Sequence, residues 1–428
     1  MLREDQLRSL PHSETLLINE TSERLAQQRP VVRFGFGQSP FPVPERLHGA
    51  LARHAHQKAY APVQGLPELR AAVAAFHRKE DGVDWQPERV LIGPGSKLLI
   101  YTVLAAVRRA TVMLTGPSWV SYEPQAILAG HPVTRLPTRA AEQWRLQPDT
   151  LDAACREARL EGDDPCVLII NSPNNPSGTS YGAADLQALA SVARRHNLIV
   201  ISDEIYGRLH HTGEHQSFAR FYPEGTLVTG GLSKWAGAGG WRLGILHIPE
   251  ALDAVLKPSL LGIASETWSC VATPIQMAAV EAYGRHPDIE AYVDRQRRVL
   301  HTIGQQSADR LRSCHIATAE PEGGFYLFPD FEYWRADLAD RGIATAAELC
   351  DRLLAEAGVA LLPASAFGMP QDFLGARLSY VNFDGSLALD ENADMDSATA
   401  PVRQGIQLID NWLQKKVRLS AVSHQIGL

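Results

Sequence analysis

The segment VTGGLSKWAGAGGWRLG, residues 228–244, places one lysine and one arginine eight positions apart on a glycine-rich turn. Lys234 is an amine of the kind that forms a Schiff base with a carbonyl compound, and Arg242 is a fixed cation suited to a phosphate. Asp203 ends the apolar stretch LIVISDE, where a carboxylate is costly to bury unless it meets a cation such as a protonated ring nitrogen. These residue types together suit Schiff-base chemistry on a phosphorylated ring compound.

A second set of anion-binding groups precedes a predicted helix. Gly95-Ser96-Lys97 comes directly before the helical stretch LLIYTVLAAVRRA, and the N–H groups at a helix N-terminus attract phosphate. Ser233 adds a hydroxyl beside the lysine. GPGSK lacks the spacing of an ATP-binding P-loop, and in GAGGWR an arginine replaces the third glycine of a dinucleotide fingerprint. The pattern therefore indicates a phosphorylated ligand smaller than ATP or NAD.

Each of these residues also has a simpler interpretation when it is taken singly. Lys234 alone fits a solvated lysine on a loop, and Asp203 alone fits a helix cap. The two residues, taken together with the phosphate-binding set, favour one site over two unrelated surface features.

The elements that must position these residues are five apolar runs between residues 66 and 320. Longer amphipathic stretches separate the runs, which predicts an α/β fold with a mostly parallel sheet between layers of helices. Each run ends in polar or glycine- and proline-rich residues, and ligands bind at the carboxyl edge of such sheets. We expect one shared crevice there; the alternative is five ordinary turns. The runs are RVLIGPG (89–95), TVMLTGP (111–117), CVLIINSP (166–173), LIVISDE (198–204) and TLVTGG (226–231).

The pattern changes after residue 320. GGFYLFPDF, VALLPAS and ARLSYVNF are predicted strands, and AAELCDRLLAEAG is a predicted helix. We therefore assign 61–320 to a large ligand-binding domain and 321–428 to a smaller α+β domain, to which 1–60 contributes an N-terminal arm and part of its structure. The acidic segment 386–401 is predicted to be a mobile surface loop before a final helix.

Composition narrows the classes of function. The chain has 428 residues, of which 45% are hydrophobic and 21% charged, as in soluble globular proteins of two domains. Its 41 basic and 48 acidic side chains give a net charge of -7, which argues against a nucleic-acid partner. Five scattered cysteines predict reduced thiols in a cytoplasmic protein and no metal site. No apolar run has the length of a membrane span, so no membrane partner is expected.

Several motifs together resemble those of the fold-type I, class I/II pyridoxal-phosphate-dependent aminotransferases, over roughly residues 30–415. NSPNNPSG is similar to the family's Asn-Pro-x-Asn-Pro-x-Gly turn, SDEIY to its Asp-x-x-Tyr strand end, and GLSKWAGAGGWRLG to its lysine loop. YAPVQGLPELRAAVA and ARLSYV match two further segments. The resemblance implies a transferase that uses pyridoxal 5'-phosphate to move an amino group between an L-amino acid and a 2-oxo acid.

The resemblance also implies a role for each matching residue. Lys234 would bind the cofactor as a Schiff base and move the substrate's α-proton, and Asp203 would pair with the pyridine nitrogen. Arg377 would grip the substrate's α-carboxylate. The other matching residues contact the cofactor or substrate: Tyr206 and Asn175 at the phenolic oxygen, Trp119 on the ring face, Ser96, Lys97, Ser233 and Arg242 around the phosphate, and Gly37 beside the substrate, which Trp119 and Asn175 also face.

Two further implications concern the partner subunit and the substrate. Tyr60 would reach the phosphate of a neighbouring subunit, so the resemblance implies a homodimer. Lys97 and the segment PSWVSYEPQAILAG resemble the aspartate/prephenate aminotransferase branch, in which a lysine here contacts the distal carboxylate of the substrate. Aspartate or glutamate is therefore the expected donor. The alternative is that Lys97 contacts only phosphate or solvent.

Some positions depart from the family pattern and leave other reactions open. Gly231 stands where the family has a hydroxyl residue, Leu98 replaces a glutamine, and GFGQSPFPVP lacks the common Glu-Pro-Asp. Segment 386–401 looks like an addition. One alternative is a lyase, a β/γ-substituting enzyme or a cyclising enzyme of specialised metabolism on the same fold and cofactor. A third hypothesis, from a different class, is a non-catalytic ligand-binding module.

Overall fold

The computed structural model describes residues 14–390, 392 and 394–425, and the side chains of 17–390, 392 and 394–415. Part of the predicted N-terminal arm, residues 1–13, lies outside this range. The described strands are β1 (Val32–Arg33), β2 (Val90–Gly93), β3 (Thr111–Gly116), β4 (Val133–Pro137), β5 (Cys166–Asn171), β6 (Ile199–Asp203), β7 (Thr226–Gly231), β8 (Gly244–His247), β9 (Tyr326–Leu327), β10 (Val359–Ala360), β11 (Leu362–Pro363) and β12 (Ala376–Ser379).

Helices alternate with the strands along most of the chain. They are α1 (Glu14–Ala26), α2 (Glu45–His54), α3 (Pro67–Glu80), α4 (Ser96–Ala106), α5 (Tyr122–Ala129), α6 (Pro148–Glu161), α7 (Ala183–His196), α8 (Glu250–Thr267), α9 (Thr273–Ala282), α10 (Pro287–Ser313), α11 (Arg335–Asp340), α12 (Ala346–Arg352), α13 (Gly385–Leu389) and α14 (Met395–Gln425). Within the described residues, no helix combines the length and the apolar character that crossing a membrane requires.

The central sheet has seven strands in the order β2-β8-β7-β6-β5-β3-β4. β8 runs antiparallel to both of its neighbours, and the other pairings are parallel. β2 therefore runs in the same direction as β7, and all five predicted runs end at one edge of the sheet. The prediction of a mostly parallel sheet covered by helices is confirmed.

Two strands of this sheet were not predicted. β4 is an edge strand in which only Leu136 is buried, so it lacks an apolar run. β8 is buried, but it is short and begins at Gly244, directly after the glycine-rich lysine loop. Its hairpin with β7 holds both ends of that loop, because Gly231 pairs with Gly244.

Alternate side chains of each central strand enter different layers. Along β5, Val167 and Ile169 pack with residues of α4, α5 and α8, whereas Leu168 and Ile170 pack with α6 and α7. This two-residue alternation is expected of a strand whose side chains point to opposite faces. A parallel sheet with both faces covered in this way holds its carboxyl edge rigidly.

The strands after residue 320 form as predicted, in two small sheets. β11, β12 and β9 pair antiparallel in that order, and β1 pairs parallel with β10. Residues 32–33 therefore join the C-terminal part of the chain. The boundaries at residues 60 and 320 stay a prediction.

The acidic segment 386–401 is largely helical, so its prediction as an irregular loop is wrong. α13 and the first turns of α14 occupy most of it. Asp384, which precedes the segment, accepts hydrogen bonds from the N–H groups of Ser386 (2.9 Å) and Leu387 (3.0 Å) at the start of α13. An aspartate N-cap of this kind stabilises a helix start. The segment's mobility stays a prediction.

Candidate active site

The carboxyl edge of the central sheet opens into a cavity of about 420 Å³. All the residues singled out from the sequence line it except Tyr60. They are Gly37, Ser96, Lys97, Trp119, Asn175, Asp203, Tyr206, Ser233, Lys234, Arg242 and Arg377. Residues that the sequence analysis did not single out also line it, among them Gln38, Tyr122, Asn171 and Tyr326.

Lys234 lies half-buried on the loop between β7 and β8. Its Nζ donates a hydrogen bond to the carbonyl oxygen of Gly37 at 2.9 Å. Loss of hydration lowers the lysine pKa to about 8; nearby Arg377 lowers it further and Asp203 opposes the shift. A substantial fraction of this amine is therefore neutral, and hence nucleophilic, near pH 8.

Asp203 ends β6 and is 2% exposed. Its Oδ2 accepts a hydrogen bond from the hydroxyl of Tyr122 at 2.7 Å, and its Oδ1 accepts one from the N–H of Ile205 at 3.2 Å. Burial raises the pKa of Asp203 to about 6, and these two donors, followed by Lys234, act against that rise. The carboxylate is thus mostly ionised at neutral pH, in a setting where a cationic ligand atom gains a strong partner.

The turn after β5 links this carboxylate to the other side of the cavity. Asn171 donates to the backbone oxygen of Asp203 at 2.7 Å and accepts from the N–H of Asn175 at 2.7 Å. The side-chain oxygen of Asn175 in turn accepts from Arg377 at 3.1 Å. The register of β5 and β6, in which Asn171 lies opposite Asp203, sets up this connection.

Arg377 lies on β12 and is 1% exposed. It donates to the carbonyl oxygen of Gly35 at 2.7 Å, and its guanidinium carbon lies 4.9 Å from the ring centroid of Tyr326 and 5.1 Å from that of Phe367. Its Nε is buried without a hydrogen-bond partner, and no ion pair of Arg377 is found among the described residues. Burial lowers its pKa. A buried guanidinium with an unmet donor is suited to binding a carboxylate.

A cradle for an anion forms where α4 begins. Gly95 caps the helix with φ +86°, and the exposed Arg242 extends from the lysine loop with φ +53°. Arg242 donates to the backbone oxygens of Gly239 (2.8 Å) and Pro94 (3.3 Å), which holds its guanidinium beside the helix start. A Cβ on Gly95 would overlap that guanidinium. The hydroxyls of Ser96 and Ser233 line the same side of the cavity.

Trp119 and Lys97 form the wall next to this cradle. The ammonium of Lys97 lies 5.2 Å from the ring centroid of Trp119, whose ring meets the edge of Tyr122 at a centroid distance of 5.3 Å. Desolvation, followed by the nearby Arg242, lowers the pKa of Lys97. The exposed side chain of Lys97 is thus a cation at the cavity mouth.

Tyr60 does not line the cavity of its own chain. Its side chain is 91% exposed, on the segment between α2 and α3. A role for Tyr60 in a cavity of this kind would therefore require a second subunit.

Three functional side chains were missed in the sequence. Tyr122 begins α5, three residues after Trp119, and its ring contacts that of Trp119 at a centroid distance of 5.3 Å. Asn171 is the first residue of the quoted segment NSPNNPSG and the last residue of β5, but it was not singled out. Tyr326 gives no local signal, because its contacts join segments that are distant along the chain.

Comparison with known proteins covers most of the chain. A family model described as Aminotransferase class I and II matches residues 29–381. An aspartate aminotransferase of Bacillus sp. (strain YM-2) is 30% identical over 91% of this chain and 96% of its own length. The aspartate/prephenate aminotransferase of Thermus thermophilus is 30% identical over 89% of this chain and 95% of its own. The structure of an aspartate aminotransferase from Thermus thermophilus with maleate superposes with a TM-score of 0.81, at 28% identity, over 95% of this chain and 100% of that one.

Proposed function

The chain belongs to the class I and II aminotransferases and is a pyridoxal-phosphate-dependent aminotransferase, and from this premise we propose that it takes its amino group from aspartate or glutamate. The acceptor is a 2-oxo acid. The observation that carries the proposal is that Lys234, Asp203 and Arg377 line one cavity. Their amine, carboxylate and guanidinium suit the cofactor's aldehyde, its ring nitrogen and the substrate's α-carboxylate, respectively.

The residues present fit the cofactor. The start of α4, Ser96, Ser233 and Arg242 supply the donors that a phosphate needs. Asp203 offers an ionised, buried acceptor for a protonated ring nitrogen, and Trp119 offers an aromatic face. Gly231 leaves the phosphate one hydroxyl short of the family pattern, and the described donors suffice without it.

Bound pyridoxal phosphate supplies an electron sink for the bonds of the substrate's α-carbon. Lys234 would hold the cofactor through its neutral amine, and the same side chain would move the proton of the substrate's α-carbon as a general base and acid. Its pKa of about 8 suits both directions of that transfer. Asp203 would keep the ring nitrogen protonated, and Tyr206 and Asn175 would donate to the phenolic oxygen.

Substrate orientation comes from Arg377 and Asn175. The guanidinium would bind the α-carboxylate in a bidentate pair, which also occupies its unmet Nε donor. Gly37, which also lines the cavity, would lie beside the substrate. Lys97 would bind the distal carboxylate of a dicarboxylic substrate at the cavity mouth. The names of the relatives, aspartate and aspartate/prephenate aminotransferase, support this assignment.

A homodimer completes the proposal. Tyr60 is a large aromatic side chain that its own chain leaves 91% exposed, so it is accessible to a partner subunit. In the dimer it would reach the neighbouring phosphate. Cys155, Cys166, Cys270 and Cys314 are free thiols, which supports a cytoplasmic location.

A half-reaction tests the function directly. The holoenzyme is mixed with L-aspartate or L-glutamate, without an acceptor, and the released products are measured. We expect one equivalent of 2-oxo acid per site and none from Lys234→Ala. Release of ammonia or of a side-chain leaving group, without stoichiometric oxo acid, would instead favour the lyase or substituting alternative.

A further inference from the structure

Tyr326 occupies a central position in the cavity. β9 pairs with β12 so that Tyr326 lies opposite Ser379, and this places its ring beside Arg377, two residues earlier on β12. The side chain is 1% exposed. Its hydroxyl lies 2.7 Å from the hydroxyl of Tyr206 and 3.5 Å from the carbonyl oxygen of Gly37.

The carbonyl of Gly37 therefore faces two donors. Lys234 donates to it at 2.9 Å, and the hydroxyl of Tyr326 lies 3.5 Å from it. This approach needs a glycine, because a Cβ at position 37 would overlap the hydroxyl of Tyr326. In the ligand-free protein the carbonyl keeps its hydrogen bond from Lys234 if the tyrosine turns its proton elsewhere.

The two phenols have two protons, and only one can lie between their oxygens. If Tyr206 donates to Tyr326, the proton of Tyr326 is free for the carbonyl of Gly37. If Tyr326 donates to Tyr206, the proton of Tyr206 is free to enter the cavity. The two arrangements differ in hydroxyl rotation alone, since the oxygen atoms already stand at hydrogen-bonding distance.

We propose that Tyr326 is a positioning residue that turns its hydroxyl from Gly37 to Tyr206 when a ligand oxygen faces Tyr206. Tyr206 then receives one hydrogen bond and donates another, and such chains strengthen each member. The inference rests on the proposed function in one respect: the ligand oxygen is the phenolic oxygen of bound pyridoxal phosphate.

Burial raises the pKa values of both phenols, so they stay protonated and act as donors at working pH. Loss of the Tyr326 hydroxyl leaves Tyr206 in place but makes it a weaker donor. At high pH the form of the bound cofactor with most negative charge on its phenolic oxygen predominates. A weaker donor at Tyr206 stabilises this form less. The pH midpoint of the visible absorbance must therefore move upward.

The test records the visible absorbance of the holoenzyme against pH for the wild type, Tyr326→Phe, Tyr206→Phe and the double variant. We expect Tyr326→Phe to raise the midpoint by less than Tyr206→Phe does, and to add nothing in the Tyr206→Phe background. An unchanged midpoint in Tyr326→Phe overturns the inference. So does an equal shift in both backgrounds, because Tyr326 would then act independently of Tyr206.

Two controls distinguish a specific effect of the Tyr326 hydroxyl from the loss of any tyrosine hydroxyl and from a change in the fold. Tyr333→Phe removes a hydroxyl from a side chain that is 65% exposed and outside the cavity, and should leave the midpoint unchanged. Thermal unfolding of each ligand-free variant checks the fold. If the wild type shows no visible band that depends on Lys234, the proposed function fails, whereas a normal band with an unmoved Tyr326→Phe midpoint refutes this inference alone.

Discussion

Asp203 shows at the scale of one residue how a functional group opposes stability. Its pKa is raised from 3.8 to about 6 because the folded chain buries the carboxylate. The folded state therefore binds its proton more tightly than the unfolded state does. The resulting stabilisation is present below about pH 4 and is lost as the pH rises through about 6.

Asp203→Asn should remove this pH dependence from the ligand-free protein. One pKa unit corresponds to about 1.4 kcal/mol. The unfolding free energy of the variant, taken relative to that of the wild type, should therefore be roughly 3 kcal/mol higher at about pH 8 than at about pH 4. Urea unfolding at both pH values measures the difference. An offset between the two proteins that is the same at both pH values would contradict the assignment of the raised pKa.

At the scale of elements, the start of α4 and the β7–β8 hairpin depend on each other. β8 brings Gly244 so close to the peptide of Gly95 that a Cβ on Gly244 would overlap it. The same helix start lies against Arg242, which the hairpin loop carries. The anion cradle is therefore a joint product of a helix cap and a strand pairing.

Gly95→Ala should damage this cradle by more than backbone strain alone. Gly95 has φ +86°, and its new methyl group would meet Arg242; Gly130 has φ +85° with no atom near its Cβ position. Gly130→Ala should cost about 1–2 kcal/mol for the left-handed backbone and leave pyridoxal phosphate affinity unchanged. Gly95→Ala should lower both stability and affinity. Equal affinities, measured by fluorescence titration, would remove Arg242 from the phosphate site.

At the scale of the whole molecule, we propose that the exposed Tyr60 completes the site of a second chain. A mixture of Lys234→Ala and Tyr60→Ala subunits tests this. If Tyr60 acts across the interface, each hybrid dimer holds one complete site, and random mixing restores about a quarter of wild-type activity. Activity no higher than the average of the two parents, with dimers confirmed by sedimentation, would show that Tyr60 serves its own chain or no site.

The sequence predicted the parts of the molecule in which a short apolar run leads directly into polar residues. The ends of β5, β6 and β7 are of this kind, so the turn at Asn175, Asp203 and the lysine loop could be placed at one edge. β4 was missed because only Leu136 of this edge strand is buried, so the strand has no apolar run. Tyr326 was not predicted for a different reason. Its partners Tyr206 and Gly37 are distant along the sequence, and only the folded chain brings them together.

The unmatched Nε of Arg377 has a consequence for the lifetime of the protein. Arg377 is a buried cation whose Nε lacks a hydrogen-bond partner, so the empty molecule is easier to unfold than the loaded one. A small carboxylate that binds this Nε therefore shifts the unfolding equilibrium toward the folded state by mass action. Resistance to proteases should then follow the supply of amino and oxo acids, and a starved cell would clear the idle enzyme faster than a fed one.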